Sequence, residues 1–399
     1  MRVRKRSYFH RESGADPHFA ICYPPQCPKT PAELSLKILQ VISGREINGA
    51  LTYCKYLSEM LASRGHEVTI LCRENGWLEE TGVEGVRFIN CEMNRKPSDV
   101  GRIANWARYE GIDVVHTHMS RAHAFGVLLK MTAGIPVIAT AHNRSFQVHW
   151  RMNDFVIANS QATMDYQSRV NRVPDSNLQK VLCFTDLERF ENVKPRDALR
   201  VKRQLRAKPE DFLCGCVGEI IKRKGQLYLF QALKKIVAEV PNFKLVMLGR
   251  FRREEPYTQK LRSILLKDGL IGRVKWLGLR ENVQDFMTAF DMLAVPSVEE
   301  PLGLVAVESL AAGTPVVATR TGGLPEIVQH NECGLLVEPR NPEALADSII
   351  KMAKDESLRQ RMGSAGQQFV RREFKTEELC DRVEQIYQRV MDRRLAKAG

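Results

Sequence analysis

Short apolar runs that end in polar residues recur along this chain, with amphipathic stretches between them, and that alternation leaves few folds open. The first half carries "LKILQVIS", "HEVTIL", "IDVVHTHMS", "IPVIATAHN" and "DFVIANS". Runs that are apolar at successive positions read as strands buried on both faces. Between the first two runs, "LTYCKYLSEMLASRG" has apolar residues at helical spacing and Gly65 as its cap. Strand and helix in alternation predict an α/β fold built on a doubly wound parallel sheet. A second series, "FLCGCVGEI", "FKLVMLG", "RVKWLG", "DMLAVPS", "TPVVAT" and "CGLLVEP", follows the charged, helix-prone segment "KPRDALRVKRQLRAK". Two such sheets in tandem predict two Rossmann-like domains across a cleft, with strand ends from both facing it, where open α/β sheets bind ligands.

A length of 399 residues is enough for two substantial cores, and 44% hydrophobic with 27% charged residues is ordinary globular composition. Residues 1–35 read as an irregular extension, because "YPPQCPKTPAE" is Pro-rich and shows no lasting periodicity. The first domain is expected over 36–192 and the second over 193–372. Residues 373–399 hold a helix, "TEELCDRVEQIYQRVMDRR", with Leu379, Val383, Ile386, Tyr387 and Val390 along one face for packing back across the domains.

No segment is long and apolar enough to span a membrane, and the basic N-terminus lacks the apolar core of a secretory signal. Ten cysteines lie scattered without metal-type spacing, which fits a reduced cytoplasmic protein. The formal charge of +13 is spread over most of the chain as solvated surface, but "MRVRKR" and the residues after Met391 are denser. Basic ends can hold a protein on an anionic inner membrane face, each charge contributing on the order of 1 kcal/mol near the surface. No nucleic-acid motif accompanies the charge, so nucleic acid is not an expected partner.

The stretch "EPLGLVAVE" places Glu300 and Glu308 around Gly303 in an otherwise apolar run. It follows a strand ending at Pro296 and precedes helix formers that stop at Gly313, so it reads as a strand-to-helix turn. A helix starting near Gly303 puts both acids toward one crevice and frees the N–H groups of Leu304 and Val305 for an anion such as a phosphate. Two carboxylates beside a phosphate site suit a ligand that is both hydroxylated and phosphorylated. Taken alone, the same acids also fit a turn residue and a solvated helix residue.

The run "EEPLGLVAVESLAAGTPVVATRTGGLPEIV", followed by "GLLVEP", resembles the C-terminal signature of the retaining nucleotide-sugar glycosyltransferases of family four, which have the two-Rossmann GT-B fold. The segments "RGHEVTIL", "DVVHTH", "IPVIATAH", "VIANSQAT", "DLERF" and "KGQLYL" are similar to family segments in the same order. The resemblance implies that Glu308 binds the ribose of the donor, that Glu300 contacts the transferred sugar, and that Gly303, Leu304 and Val305 hold sugar hydroxyls or the diphosphate. It also implies a place for His118 beside the donor sugar, for Lys224 on the donor phosphates, for Gly218 in the donor site, and for Asn48 and Gly49 in the first phosphate or acceptor loop. His118 read by itself also fits a satisfied histidine at a strand end, and His116 is expected to be structural.

Two departures stand out. Glu219 occupies the place of the arginine that in this family faces the phosphates, and Phe184, Thr185 and Asp186 replace a Gly-Val-Asp. Lys222 or Arg223 is expected to offset Glu219, leaving Lys224 for the phosphate. What the resemblance implies overall is transfer of a hexose, with retention, from a nucleotide-diphosphate sugar, UDP being the commonest, to a hydroxyl of a glycan or lipid-linked acceptor such as lipopolysaccharide or exopolysaccharide. No cofactor and no metal ion is expected. A phosphorylase or sugar-nucleotide epimerase of the same fold, or a non-catalytic nucleotide-sugar-binding protein, are the alternatives.

Overall fold

Thirteen strands of the computed structural model, which describes residues 35–398, form two all-parallel sheets. The first holds β1 (Lys37–Ile42), β2 (Glu67–Cys72), β3 (Arg87–Asn90), β4 (Val114–His118), β5 (Val137–Ala141), β6 (Phe155–Ala158) and β7 (Leu178–Lys180), in the order β3-β2-β1-β4-β5-β6-β7. The second holds β8 (Phe212–Val217), β9 (Phe243–Leu248), β10 (Val274–Gly278), β11 (Met292–Val295), β12 (Val316–Thr319) and β13 (Gly334–Val337), in the order β10-β9-β8-β11-β12-β13. The central strands are buried along nearly their whole length, which is why they read as continuous apolar runs. The expected extension at 1–35 lies outside the described residues except for Ser35.

In each sheet the strand order reverses once, between β1 and β4 and between β8 and β11. A crevice opens beyond the carboxyl ends of the strands at such a reversal. The four segments carrying the expected site residues leave those four strands: Asn48 and Gly49 after β1, His118 at the end of β4, Gly218 and Lys224 after β8, and Glu300 to Glu308 after β11.

Helix Glu356–Glu373 packs on the second domain, where Gly363 and Gly366 allow close approach to Gly313 and Leu310. The chain then turns near Phe374, and helix Thr376–Ala398 returns to the first domain. Leu379, Val383, Ile386, Tyr387 and Val390 are buried in one cluster with Ile38, Tyr53 and Leu57. Arg64 and His66 bond Glu384, and Arg393 reaches Asn177 and the Ser176 carbonyl, so part of the basic C-terminal charge is used in packing. Among the described residues no helix is long and apolar enough to cross a membrane. The eight described cysteines are buried and unpaired.

Tyr387 ties this helix to the sheet. Its hydroxyl accepts from Gln40 Nε2 at 3.3 Å and lies 2.7 Å from His116 Nδ1, all three groups being buried. Tyr387→Phe removes a partner from each of two buried polar groups and is expected to lower unfolding stability by about 1–3 kcal/mol. Denaturant unfolding that coincides with that of the unaltered protein would contradict this anchoring role.

Candidate active site

Lys224 reaches the cleft because of the glycine after it. Gly225 has φ +67°, and a Cβ there would overlap the Pro296 carbonyl oxygen, so only glycine lets the short turn Lys222–Lys224 pack against the end of β11. A Cβ on Gly218 would stand 3.7 Å from Lys224 Cε. The lysine is thereby aimed at Glu300: Lys224 Nζ lies 2.6 Å from Glu300 Oε2, and Ser297 Oγ donates to the same oxygen at 3.1 Å. Glu300 is 6% exposed. Sequence reasoning gave the lysine to phosphate and the acid to sugar; in the structure each group is the other's partner.

Helix Leu304–Ala311 begins behind this pair. Gly303, at φ +103°, forms its cap without any side-chain bond, and among the described residues the N–H groups of Leu304 and Val305 have no partner. The start of helix Gly49–Ser63 stands opposite, since a Cβ on Gly49 would lie 3.5 Å from Leu304 Cδ1. The Asn48 side chain is already used, accepting from the N–H groups of Ala50 and Leu51 at 2.9 and 3.2 Å as a helix cap. What that loop offers a ligand is the backbone of Gly49.

Glu308 is half-buried, and its carboxylate has no hydrogen-bond partner among the described residues. Burial pushes its carboxyl up to about 7, against the pull of Arg189 and Lys224. A carboxylate held in low dielectric without donors is prepared to accept from ligand hydroxyls.

His118 does not stand open to the cleft as expected. It is fully buried, with Nε2 2.8 Å from Gln40 Oε1 and Nδ1 3.0 Å from His142 Nε2. Gln40 gives its N–H to Tyr387, so its oxygen accepts from His118 Nε2–H, and His118 Nδ1 then accepts from His142 Nε2–H. His142, partly exposed, is where this chain of bonds meets the surface. A residue at a strand end can point into the sheet's own polar interior, and His118 takes the satisfied-histidine arrangement that the sequence also left open. His116 is structural, bonded to Tyr387 and to Thr140 Oγ1 at 2.7 Å. Burial pushes His116 and His142 down to about 3 and His118 well below its usual range, so all three stay neutral near pH 7.

The expected pairing of Glu219 is also corrected. Its partner is Arg250, at the end of the neighbouring strand β9, and not Lys222 or Arg223. The backbone bond from Ile220 to the Arg250 carbonyl, at 3.0 Å, shows that parallel pairing carries the two residues side by side. Arg250 also pairs with Glu46 from the loop after β1, so one guanidinium spans acids of both domains.

Sequence reasoning also missed Arg144, in the loop after β5. A Cβ at Gly322 would overlap the Glu300 carbonyl oxygen and lie 3.6 Å from Arg144 Nη2, which puts this guanidinium beside the Glu300 turn. Its Nε is buried without a partner. Only the basic loop "HNRSF" signals it, and nothing local tells which way the side chain turns. Among the described residues no three His, Cys, Asp or Glu side chains are grouped as a metal site.

Residues 197–369 match the family described as glycosyl transferases group 1, and residues 47–189 match glycosyltransferase family 4. The chain is 31% identical over 293 residues to an uncharacterized glycosyltransferase of Methanocaldococcus jannaschii, covering 71% of this chain and 77% of that one. It is 26% identical over 360 residues to N-acetyl-alpha-D-glucosaminyl L-malate synthase of Bacillus anthracis, covering 84% and 92%. Among solved structures, HepE of Anabaena in complex with UDP superposes with a TM-score of 0.76 at 23% identity, covering 88% of this chain and 99% of that one. That likeness, the two parallel sheets and the facing strand ends make the fold GT-B. On these matches and this architecture, the chain belongs to the group 1 glycosyltransferases of the family four type.

Proposed function

We propose that the protein moves a hexose-type sugar from a UDP-sugar to an acceptor hydroxyl with retention of anomeric configuration, without a metal ion or other cofactor. The observation that carries this reading is the buried Lys224–Glu300 pair at the uncapped start of helix Leu304–Ala311. Breaking the bond from the anomeric carbon to the diphosphate places positive charge on the sugar and negative charge on the leaving phosphate. Lys224, drawn off Glu300, takes the phosphate together with the free N–H groups of Leu304 and Val305. Glu300, freed from Lys224, steadies the sugar; Glu308 binds the ribose; Gly218 leaves room for the lysine stem. His118 acts as a positioning residue, through His142. The acceptor attacks on the face that the diphosphate leaves, and the departing phosphate oxygen takes its proton.

The donor base follows the UDP complex of the similar HepE structure. For the acceptor, the sequence expectation is a glycan or lipid-linked hydroxyl, with the basic surface resting on an anionic membrane face. The names of two relatives supply small compounds instead, L-malate and D-inositol 3-phosphate. Calorimetry with UDP, GDP and ADP in the presence of EDTA tests the donor assignment. UDP should bind at least tenfold tighter than the others, and preference for GDP or ADP, or loss of binding with EDTA, would overturn it.

Glu308 adds a pH dependence. Ribose hydroxyls donate to an ionised carboxylate, so ligand favours the charged form that burial disfavours. With the carboxyl at about 7 in the free protein, affinity should rise with pH through 7 and level off above it. UDP-glucose, whose diphosphate diester does not titrate in this range, should bind about tenfold tighter at pH 8 than at pH 6. Glu308→Gln should bind it more weakly by about 1.5–3 kcal/mol at pH 8 and without that dependence. A flat profile for the unaltered protein would remove Glu308 from the ribose.

A further inference from the structure

A second opening lies in the first domain, on the same carboxyl edge of the sheet as the donor cleft. It measures about 740 Å³, and its walls come from the loop after β3, the start of helix Ser120–Ala133 and the loop after β5. Two guanidinium groups, Arg95 and Arg121, line it together with Asn94, Ser120, Gln147 and His149, and no carboxylate does. Arg95 has no ion pair or hydrogen bond among the described residues, and Arg121 reaches only the Glu92 carbonyl, at 3.5 Å. Helix Ser120–Ala133 opens into it with no side-chain cap and no acid in its first turn, so the positive end of the helix adds to the same field.

The wall also holds polar atoms that lack partners. Gln147 Oε1 and His149 Nε2 are buried and unbonded, an arrangement that proteins avoid unless something else supplies the bond. Both atoms are closed to a water-sized molecule, so what the opening presents directly is the two guanidinium groups with the Asn94 and Ser120 side chains. Met93 and Val148 supply apolar surface alongside. The opening is therefore suited to a molecule carrying an oxyanion for Arg95 and Arg121, with hydroxyl groups that can meet Asn94 and Ser120.

The loop after β5 connects this opening to the donor site. Gln147 Nε2 donates to Ser145 Oγ at 3.1 Å, Ser145 Oγ to Asn143 Oδ1 at 2.9 Å, and Asn143 Nδ2 to Ser120 Oγ at 3.4 Å, while Arg144 of the same loop stands beside the Glu300 turn. A ligand anchored by its anion at Arg95 and Arg121 can extend along this loop toward the sugar. Building on the proposed transfer reaction, we infer that this opening is the acceptor's anchor, and that the acceptor is a hydroxylated compound carrying a phosphate or carboxylate held by Arg95 and Arg121.

The test uses the full chain saturated with UDP, so that the donor site is filled, and titrates inorganic phosphate, L-malate and, as the uncharged control, glycerol by calorimetry. At least one anion should bind and glycerol should not; phosphate outranking malate would name a phosphorylated acceptor, and the reverse a hydroxy acid. The double variant Arg95→Ala, Arg121→Ala alters two exposed side chains and should bind the anion at least tenfold more weakly, with its UDP affinity within twofold of the unaltered protein. Failure of both anions to bind, or equal binding by the double variant, would overturn the anchor. Should UDP itself fail to bind, the proposed donor would fall, while the dependence of phosphate binding on Arg95 and Arg121 would still decide the anchor.

Discussion

Lys224→Ala is expected to lower turnover about 100- to 1000-fold and to weaken UDP binding by about 1.5–3 kcal/mol, the two losses arising from one side chain. The lysine is a compact charge 2.6 Å from Glu300, which lies in the turn that leads to the uncapped start of helix Leu304–Ala311. Removing it takes charge stabilisation from the leaving phosphate and also leaves Glu300, 6% exposed, with Ser297 as its remaining donor. Breaking a buried pair from one side costs about 3–5 kcal/mol when no solvent can enter; a pair at the edge of a cleft should lose less. Turnover and calorimetric affinity measured on one preparation decide the matter. A variant that keeps its UDP affinity would show that other groups, with Arg144 the first candidate, hold the phosphates.

Glu300→Gln should behave in the opposite sense toward the nucleotide. The amide keeps the shape and can still bond Ser297, but it no longer holds Lys224 by charge, so Lys224 turns to the diphosphate at lower cost. UDP should bind as tightly as before or tighter, while turnover falls about 100-fold because positive charge on the sugar loses its neighbour. Separate measurement of kcat and of UDP affinity distinguishes this from a general loss of structure, which would damage both. Full turnover in Glu300→Gln would withdraw the carboxylate from the reacting sugar.

Much of this site was legible because strands buried on both faces leave an unbroken apolar signature, and the turns that follow them then stand out as polar punctuation. Glu300, Gly303 and Glu308 were found that way, Lys224 came from the family resemblance, and the sheet order places all four at the reversal between β8 and β11. Edge strands were less legible: β3 is only partly buried and β7 has three residues, so neither gives a continuous apolar run. Contacts set by the sheet and by packing were not legible at all. Glu219 has three cations within five residues, yet pairs with Arg250 because β8 and β9 run side by side. Reading His118 as a residue of a buried polar network needed knowledge of Gln40 and His142, which lie 78 and 24 residues away. The apolar face of the last helix was plain in sequence, whereas its choice of the first domain rests on Tyr387 meeting Gln40 and His116.

The central claim is a transfer reaction that builds a glycoside with the donor's anomeric configuration, and proton NMR of the reaction mixture tests it most directly. The protein is incubated with UDP-glucose or UDP-N-acetylglucosamine, with and without L-malate and inositol phosphate, and the anomeric signals are followed in time. The account predicts UDP and an α-glycoside appearing together, only when an acceptor is present, and neither from Lys224→Ala at a comparable rate. A β-glycoside, a free sugar 1-phosphate, an epimerised UDP-sugar, or tight UDP-sugar binding without any product across an acceptor panel that includes glycan hydroxyls would contradict it.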